Sequence, residues 1–284
     1  MNSVSHNQSV DCAPAVLIRG DDSSWSLNLS ELGQHRELLY FLTWRDIKVR
    51  YKQTVVGLAW VAVQPLAMAL SLSLFLGRLV KVPSDGLPYP LFAYLGMLIW
   101  TLFSQALTGA SNSLLANERL ITKVHFPRML VPASSVLASL LDFGVGLVLL
   151  VPFLIYYRII PTASLLVLPL VVFITVLIAL GLGLWLSALN VKYRDVRHTV
   201  NFLVQFWFLA TPIGYPTSVV PGRWRVWFGA NPMTGVVEGF RWALHGAGPA
   251  PVSLLTVSTC VALLLFVSGL YYFRWTEDTF ADFI

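Results

Sequence analysis

Long stretches without a charged residue constrain this 284-residue chain more than any other feature. Five windows contain no Asp, Glu, Lys or Arg, and each exceeds the ~20 residues that a helix needs to cross ~30 Å of hydrocarbon. These windows are residues 53–77, 86–117, 159–191, 198–222 and 242–273. A sixth window, 129–157, contains one carboxylate, Asp142. The pattern predicts an all-α integral membrane protein with six transmembrane helices.

Composition excludes the soluble alternative. Only 12% of the residues are charged, about half of the ~25% that is usual in soluble domains. Six buried helices of a large soluble protein would need amphipathic helices to cover them, and the chain has too few. The predicted spans are about 55–77, 91–115, 130–157, 164–189, 199–215 and 252–273, within a transmembrane domain of residues 53–284.

The distribution of Lys and Arg predicts the orientation of the spans. With the N-terminus inside, the inner segments hold 13 of the 19 basic residues and the outer segments hold six. An excess of basic residues in short loops marks the cytoplasmic side. We therefore expect both chain termini in the cytoplasm.

Two segments outside the spans have their own character. Residues 1–30 are polar, contain acidic residues and lack the apolar core of a signal peptide, which predicts a cytoplasmic tail. Residues 31–52 mix aromatic, aliphatic and basic residues, which is typical of an amphipathic helix at the membrane interface. A plain helical lead into the first span is the alternative interpretation.

The segment between the fifth and sixth spans, residues 216–251, is rich in proline and aromatic residues. No complete span fits there. We predict two short helices that meet at Asn231-Pro232, enter the outer leaflet and return, forming re-entrant gate helices. An ordinary aromatic-rich outer loop is the alternative.

Several kinds of chemistry lack the residues that they need. No Gly-Lys dipeptide is present, so the chain has no P-loop, and a separate subunit would have to bind any nucleotide. The two cysteines, Cys12 and Cys260, and five dispersed histidines offer no metal site. Mid-span glycine pairs such as Gly181 and Gly183 indicate close helix packing rather than dinucleotide binding. We expect neither an enzyme nor a nucleic-acid partner, and no cofactor bound by this chain.

Asp142 is the one ionisable residue well inside a predicted span, and its burial is costly unless it is paired or neutral. Two interpretations compete: a structural acceptor for Ser, Thr or Gln side chains of neighbouring spans, or a proton or cation site. The first interpretation is favoured, because proton relays usually need more than one intramembrane acid. The second would make the chain a proton-coupled lipid or drug carrier.

The inner loops carry more than positive charge. In residues 116–129, Leu120, Ile121, Val124 and Phe126 accompany the charged residues, and a shorter mixed loop follows at 190–197. Exposed apolar groups surrounded by charge are typical of surfaces that dock another protein. The loops therefore predict a cytoplasmic partner.

A series of motifs in these segments resembles the membrane subunit of ABC-2 type exporters of cell-surface polysaccharide, in particular O-antigen export permeases. The motifs are RDIKVRYKQT at 45–54 with Gly57 and Trp60, LITK at 120–123 with FPR at 126–128, YRD at 193–195, Thr211-Pro212 with Tyr215-Pro216, and NPM at 231–233. The similarity extends from about Leu27 to the end of the chain.

The resemblance implies a homodimer in the inner membrane of a bacterium, docked on two copies of an ATP-hydrolysing subunit, which binds ATP and Mg²⁺. The cargo would be an undecaprenyl-diphosphate-linked glycan; teichoic acid or capsule polymer is the alternative. The loop 116–129 would be the coupling helix. The expected coupling residues are Glu118, Arg119, Lys123, Phe126, Arg128, Arg194 and Asp195.

The sugar conduit is expected to use aromatic side chains, since these can hold apolar sugar faces by weak stacking contacts that permit sliding. The candidates are Trp60, Tyr94, Trp100, Phe103, Trp207 and Phe208, with Asp142 as a polar patch. Each aromatic residue could equally face lipid. Arg50 and Lys52 could meet the diphosphate of the carrier lipid or anionic membrane lipid.

Overall fold

The computed structural model describes residues 35–52, 58–124, 126–160, 162–193, 195–221, 224, 228–246, 248–277 and 280. All regular secondary structure in these residues is helical, which confirms the all-α prediction. The predicted polar tail, residues 1–30, lies outside the described residues, as do residues 55–57 of the first predicted span.

Nine α-helices are described. They are α1 (Arg36–Tyr51), α2 (Leu58–Leu72), α3 (Tyr89–Ala116), α4 (Glu118–Lys123), α5 (Leu130–Tyr156), α6 (Leu168–Lys192), α7 (Val196–Ala210), α8 (Pro232–His245) and α9 (Val252–Glu277). A π-helical turn, Ser73–Leu79, continues α2, and a 3₁₀ turn, Ala163–Val167, leads into α6. A second 3₁₀ turn, Thr217–Val219, lies between α7 and α8.

Four helices are long and apolar enough to cross a membrane. These are α3, α5, α6 with its 3₁₀ turn, and α9, which contain 26 to 30 residues each. Their apolar outer faces include Val148, Ile155 and Phe173, all more than half exposed. Lipid is the medium that tolerates such surfaces, so the chain is a multi-pass membrane protein.

The helix over the fifth predicted span is shorter than expected. We predicted a span at 199–215, but α7 ends at Ala210 and Thr211 is extended. Pro212 explains the end, because the ring of a proline disfavours helical geometry at the preceding residue. The chain then turns back toward α8.

Helix α3 lies at the centre of the bundle. It packs on α5 and α6, while α9 covers the other side of α6 and α1 lies against α5. Phe92, Tyr94 and Phe103 of α3 are fully buried, as is Phe240 of α8. Helices α2 and α7 both pack on α3 at the edge of the bundle.

Glycines of α6 allow this helix to approach both α9 and α3 closely. A Cβ atom built on Gly181 would lie 2.6 Å from the backbone nitrogen of Phe266 in α9, and one on Gly183 would lie 2.6 Å from the Cβ of Ala110. The expectation that these glycines serve helix packing agrees with both contacts.

The substitution Gly181→Ala is expected to lower the stability of the bundle by about 1–3 kcal/mol, because backbone atoms of α9 must move to admit the methyl group. Gly144→Ala is the matched control, since Gly144 also lies in the middle of a span but its Cβ would meet no atom within 4 Å. Thermal unfolding in detergent measures the effect. Equal melting temperatures for the two variants would contradict the close packing.

Candidate functional site

A polar cavity of about 960 Å³ opens at the edge of the bundle between α2 and α7. We call it the polar trough. It lies in the half of the bundle nearer α4, and the last residues of α1 reach it. Its lining residues are Arg50, Tyr51, Trp60, Val61, Gln64, Ser104, Gln105, Thr108, Gly109, Asn112, Asp142, Asn201, Val204 and Gln205.

Asp142 anchors the end of α1 at this trough. Its carboxylate accepts a hydrogen bond from Arg50 Nη1 at 2.5 Å and another from the hydroxyl of Tyr51. Burial, together with hydrogen bonding to Asp142, raises the pKa of Tyr51 well above its usual range, so the hydroxyl remains a donor. The favoured structural interpretation of Asp142 agrees with this geometry, but its partners are Arg and Tyr of α1 rather than Ser, Thr or Gln.

Most of the other residues that line the trough carry neutral amides or hydroxyls, and the sequence interpretation missed them. On α3, Ser104, Gln105, Thr108 and Asn112 recur at helical spacing and form one polar stripe. The Oε1 atom of Gln105 is buried and has no hydrogen-bond partner. This stripe of uncharged polar residues within a span was the signal in the sequence that could have located the trough.

Most of the predicted conduit aromatics lie elsewhere. Tyr94 and Phe103 are fully buried and Trp100 is 5% exposed. The hydroxyl of Tyr94 donates to the Gly146 carbonyl at 2.8 Å, which ties α3 to α5. These three residues pack inside the chain in this structure and do not line the trough.

Trp207 and Phe208 of α7 are half-buried against α3. The ring of Trp207 contacts Phe103 edge-on, and the ring of Phe208 contacts Trp100 in the same way. Among the six predicted aromatics, Trp60, which is 64% exposed, lines the trough.

The predicted coupling residues divide into two groups. Glu118, Arg119 and Lys123 are exposed on α4, and Asp195 is exposed just before α7. Together with the exposed Val124, the α4 residues form what we call the loop surface. Arg194 lies outside the described residues.

Two predicted coupling residues make contacts within the chain. Phe126 is 8% exposed and packs in a core with Leu42 and Phe273. The guanidinium of Arg128 donates to the backbone carbonyl of Glu277 at 2.5 Å. Ile121, which was also expected to be exposed, is 7% exposed in the same core. Ile121 and Phe126 of this loop are thus covered by the chain's own α1 and α9, whereas Val124 remains exposed.

A polar link joins α1 to the loop surface. Arg45 Nη2 donates to the side-chain oxygen of Asn117, the residue before α4, at 2.6 Å. Asp46 receives a hydrogen bond from Ser134 of α5 at 3.1 Å and pairs with Arg45 at 2.8 Å. A displacement of α4 would therefore reach α1 and α5 directly.

Helix α1 presents two faces. Leu42 is buried against the bundle, whereas Tyr40, Phe41 and Trp44 are exposed, and the Lys48 ammonium lies 5.6 Å from the centre of the Trp44 ring. Exposed aromatics beside cations are typical of helices at headgroup depth. Lys52, at the end of this helix, is exposed and lies outside the trough lining.

At the far end of the bundle, α8 holds the turn that follows α7. The side chain of Asn231 caps α8 by accepting from the Met233 N–H at 3.0 Å, and it also accepts from Trp207 Nε1 at 2.9 Å. Arg241, 4% exposed, donates to the carbonyls of Pro212 and Ile213 at 2.9 and 2.5 Å.

The apolar bundle with a polar trough and a charged loop surface defines a multi-pass membrane protein with features suited to transport. Residues 37–245 match the family model described as ABC-2 type transporter. The chain belongs to this family of transporter membrane subunits.

Curated relatives match nearly full length. The O-antigen export system permease protein RfbA of Myxococcus xanthus is 30% identical over 89% of this chain and 98% of its own length. RfbA of Klebsiella pneumoniae is 28% identical over 89% of this chain and 97% of its own length. The polysialic acid transport protein KpsM of Escherichia coli is 22% identical over 82% of this chain and 91% of its own length.

Proposed function

We propose that this chain is the permease subunit of an ATP-driven exporter that moves an undecaprenyl-diphosphate-linked polysaccharide of O-antigen type out of the cytoplasm. The observation that carries the proposal is the end-to-end similarity to two permeases named for O-antigen export. The neutral polar trough supports it, because amides and hydroxyls can exchange hydrogen bonds with sugar hydroxyls.

In this proposal six helices cross the bacterial inner membrane and both termini are cytoplasmic. Four of the six are the long helices. The other two are α2 with its π-helical turn, which contain 15 and 7 residues, and α7, which contains 15 residues. Helix α1 lies on the cytoplasmic interface. Helix α8 is a re-entrant gate helix, supported by its nearly complete burial within the chain.

A second copy of the chain would complete the conduit. The trough opens on the side between α2 and α7, where Trp60, Gln64, Asn201 and Gln205 are exposed. Exposed amides facing hydrocarbon would be costly. Two troughs that face each other across a dimer axis would enclose a polar path, with Trp60 available to stack on sugar rings and Arg50 near the carrier's diphosphate.

Energy would enter through the loop surface. Closure of two ATP-binding subunits against Glu118, Arg119 and Lys123 would displace α4, and the Arg45–Asn117 hydrogen bond would pass the movement to α1. Because α1 is bonded to Asp142, the same movement would reach the trough. Rigid helices would then change between two arrangements.

Reconstituted vesicles test the function. The purified chain and its ATPase partner are reconstituted in inverted vesicles, with a lipid-linked glycan on the outer face. When ATP is supplied, the glycan should become inaccessible to added glycosidase. An ATPase variant that binds but does not hydrolyse ATP is the control. Transport without the ATPase subunit would reject the proposal.

Capsule polymer is a second candidate cargo, because KpsM is named for polysialic acid transport. The same vesicles distinguish the two. Capsule export is favoured if a capsule polymer on its own lipid anchor becomes protected from glycosidase and the undecaprenyl-linked glycan does not.

Charge reversal tests the docking assignment. Lys123→Glu and Glu118→Lys are each expected to weaken co-purification of the ATPase subunit about fivefold to tenfold, since interfacial charges orient partners. Lys81→Glu is the matched control: Lys81 is exposed and lies in the loop on the opposite side under the proposed topology. Unchanged association of the α4 variants would contradict docking at this surface.

A further inference from the structure

A second large recess lies on the other side of α7 from the polar trough. It measures about 610 Å³, and we call it the apolar groove. Its walls come from α3, α6, α7 and α9. The lining residues are Leu107, Leu182, Trp185, Leu186, Leu189, Val200, Leu203, Val204, Phe206, Trp207, Ala210, Leu265 and Ser268.

The few polar side chains in these walls already have partners. Trp185 Nε1 donates to the Ser268 hydroxyl at 3.2 Å, and that hydroxyl donates to the Leu265 carbonyl at 3.1 Å. Trp207 Nε1 donates to Asn231. The groove therefore has nothing to offer a polar ligand along its length and suits a hydrocarbon chain.

Both helical stripes that line the groove reach a cation at the same end. On α6 the stripe 182, 185, 186 and 189 continues one turn later at Lys192. On α7 the stripe 200, 203, 204 and 207 continues one turn earlier at Arg197. Both cations are exposed.

The length of the groove matches the depth of one membrane leaflet. From Val200 to Ala210 it runs about 15 Å along α7, which is half of the ~30 Å hydrocarbon core and thus the depth of one leaflet.

We propose that the apolar groove binds one acyl chain of an anionic phospholipid from the leaflet at the Lys192 end, with the phosphate held between Lys192 and Arg197. The site is separate from the polar trough, and Val204 of α7 contributes to both recesses. The lipid packs against one face of α7, and the opposite face of α7 lines the trough. In the proposed conduit, α7 is a wall, and the bound lipid thus fixes its position.

Photolabelling tests the site. The full chain in phosphatidylcholine nanodiscs receives a phosphatidylglycerol probe with a diazirine at its acyl chain end, and labelled peptides are mapped by mass spectrometry. We expect labels concentrated in 182–189 and 203–210. Lys192→Gln and Arg197→Gln should each reduce labelling about fivefold, as expected for loss of ~1 kcal/mol per cation near an anionic lipid. The control Arg119→Gln with Lys123→Gln should leave it unchanged.

A filling substitution gives an independent measurement. Ala210→Trp should displace the label from 203–210, while Leu209→Trp, at an adjacent residue that is 71% exposed and does not line the groove, should not. Four results would each overturn the proposal. They are equal labelling around the bundle, equal labelling by a phosphatidylcholine probe, displacement of the label by undecaprenyl phosphate, and disulfide crosslinking between two copies at position 203. None of these measurements depends on glycan export.

Discussion

Arg241→Ala is expected to destabilise the folded chain by about 3–5 kcal/mol, the range observed when one partner of a buried charge pair is removed. The guanidinium lies 3.5 Å from the centre of the Phe92 ring, donates to two backbone carbonyls after α7, and pairs with Glu238 at 3.3 Å. Without it, both carbonyls and the carboxylate lose a donor in a buried site.

The charge of Arg241 persists at neutral pH. Burial lowers the pKa of Arg241 to about 10, and the neighbouring Glu238 opposes the shift. The guanidinium therefore stays protonated, and the loss on substitution should vary little between pH 6 and pH 8. Thermal unfolding in detergent across that range measures it.

Arg241→Lys is the informative companion variant. It keeps the charge but loses the fork that reaches two carbonyls at once. We expect a melting temperature between those of wild type and Arg241→Ala. If Arg241→Ala unfolds at the wild-type temperature, the contacts with Pro212 and Ile213 do not hold the turn after α7.

The four long apolar helices and the need of Asp142 for a partner could be predicted because the bilayer imposes both. A charge-free window of more than 20 residues has few alternatives to a membrane helix, and a lone carboxylate in such a window needs a partner. The close approach at Gly181 was also visible, since small residues let membrane helices touch.

Side-chain direction could not be predicted in the same way. A span that meets lipid on one face and protein on the other is apolar on both, so periodicity does not distinguish the faces. Tyr94 and Trp60 therefore looked equivalent in the sequence, yet one is fully buried in the core and the other is exposed at the trough.

Contacts between residues far apart in the sequence could not be predicted either. Arg241 was counted among the outer basic residues, but it is buried and bonded to a segment about 30 residues earlier in the chain. Phe126 and Ile121 looked like a docking surface because the covering residues, such as Leu42 and Phe273, lie far away in sequence. The polar stripe on α3 is present in the sequence, but its residues carry no charge, so a search for charged residues does not find it.

Substitution of Asp142 is expected to separate its structural role from proton transport. Asp142→Leu removes both acceptors that hold Arg50 and Tyr51, so the last turn of α1 loses its polar attachment to α5. We expect ATP-driven glycan transport in vesicles to fall roughly tenfold or more, since losing hydrogen bonds to a charged group costs about 1.5–3 kcal/mol. Water screens part of the Arg50 pair, because that side chain is 35% exposed, which limits the loss in stability.

Asp142→Asn is the matched control for charge. The amide oxygen can still accept from the Tyr51 hydroxyl, so most of the attachment of α1 persists and ATP-driven transport should remain within a few-fold of wild type. A proton-coupled carrier would lose transport with either substitution, because Asn cannot bind and release a proton. If Asp142→Asn abolishes transport while the ATPase subunit still associates and is still stimulated, the carboxylate acts in transport itself. Movement of cargo driven by a pH gradient without ATP would establish the carrier mechanism.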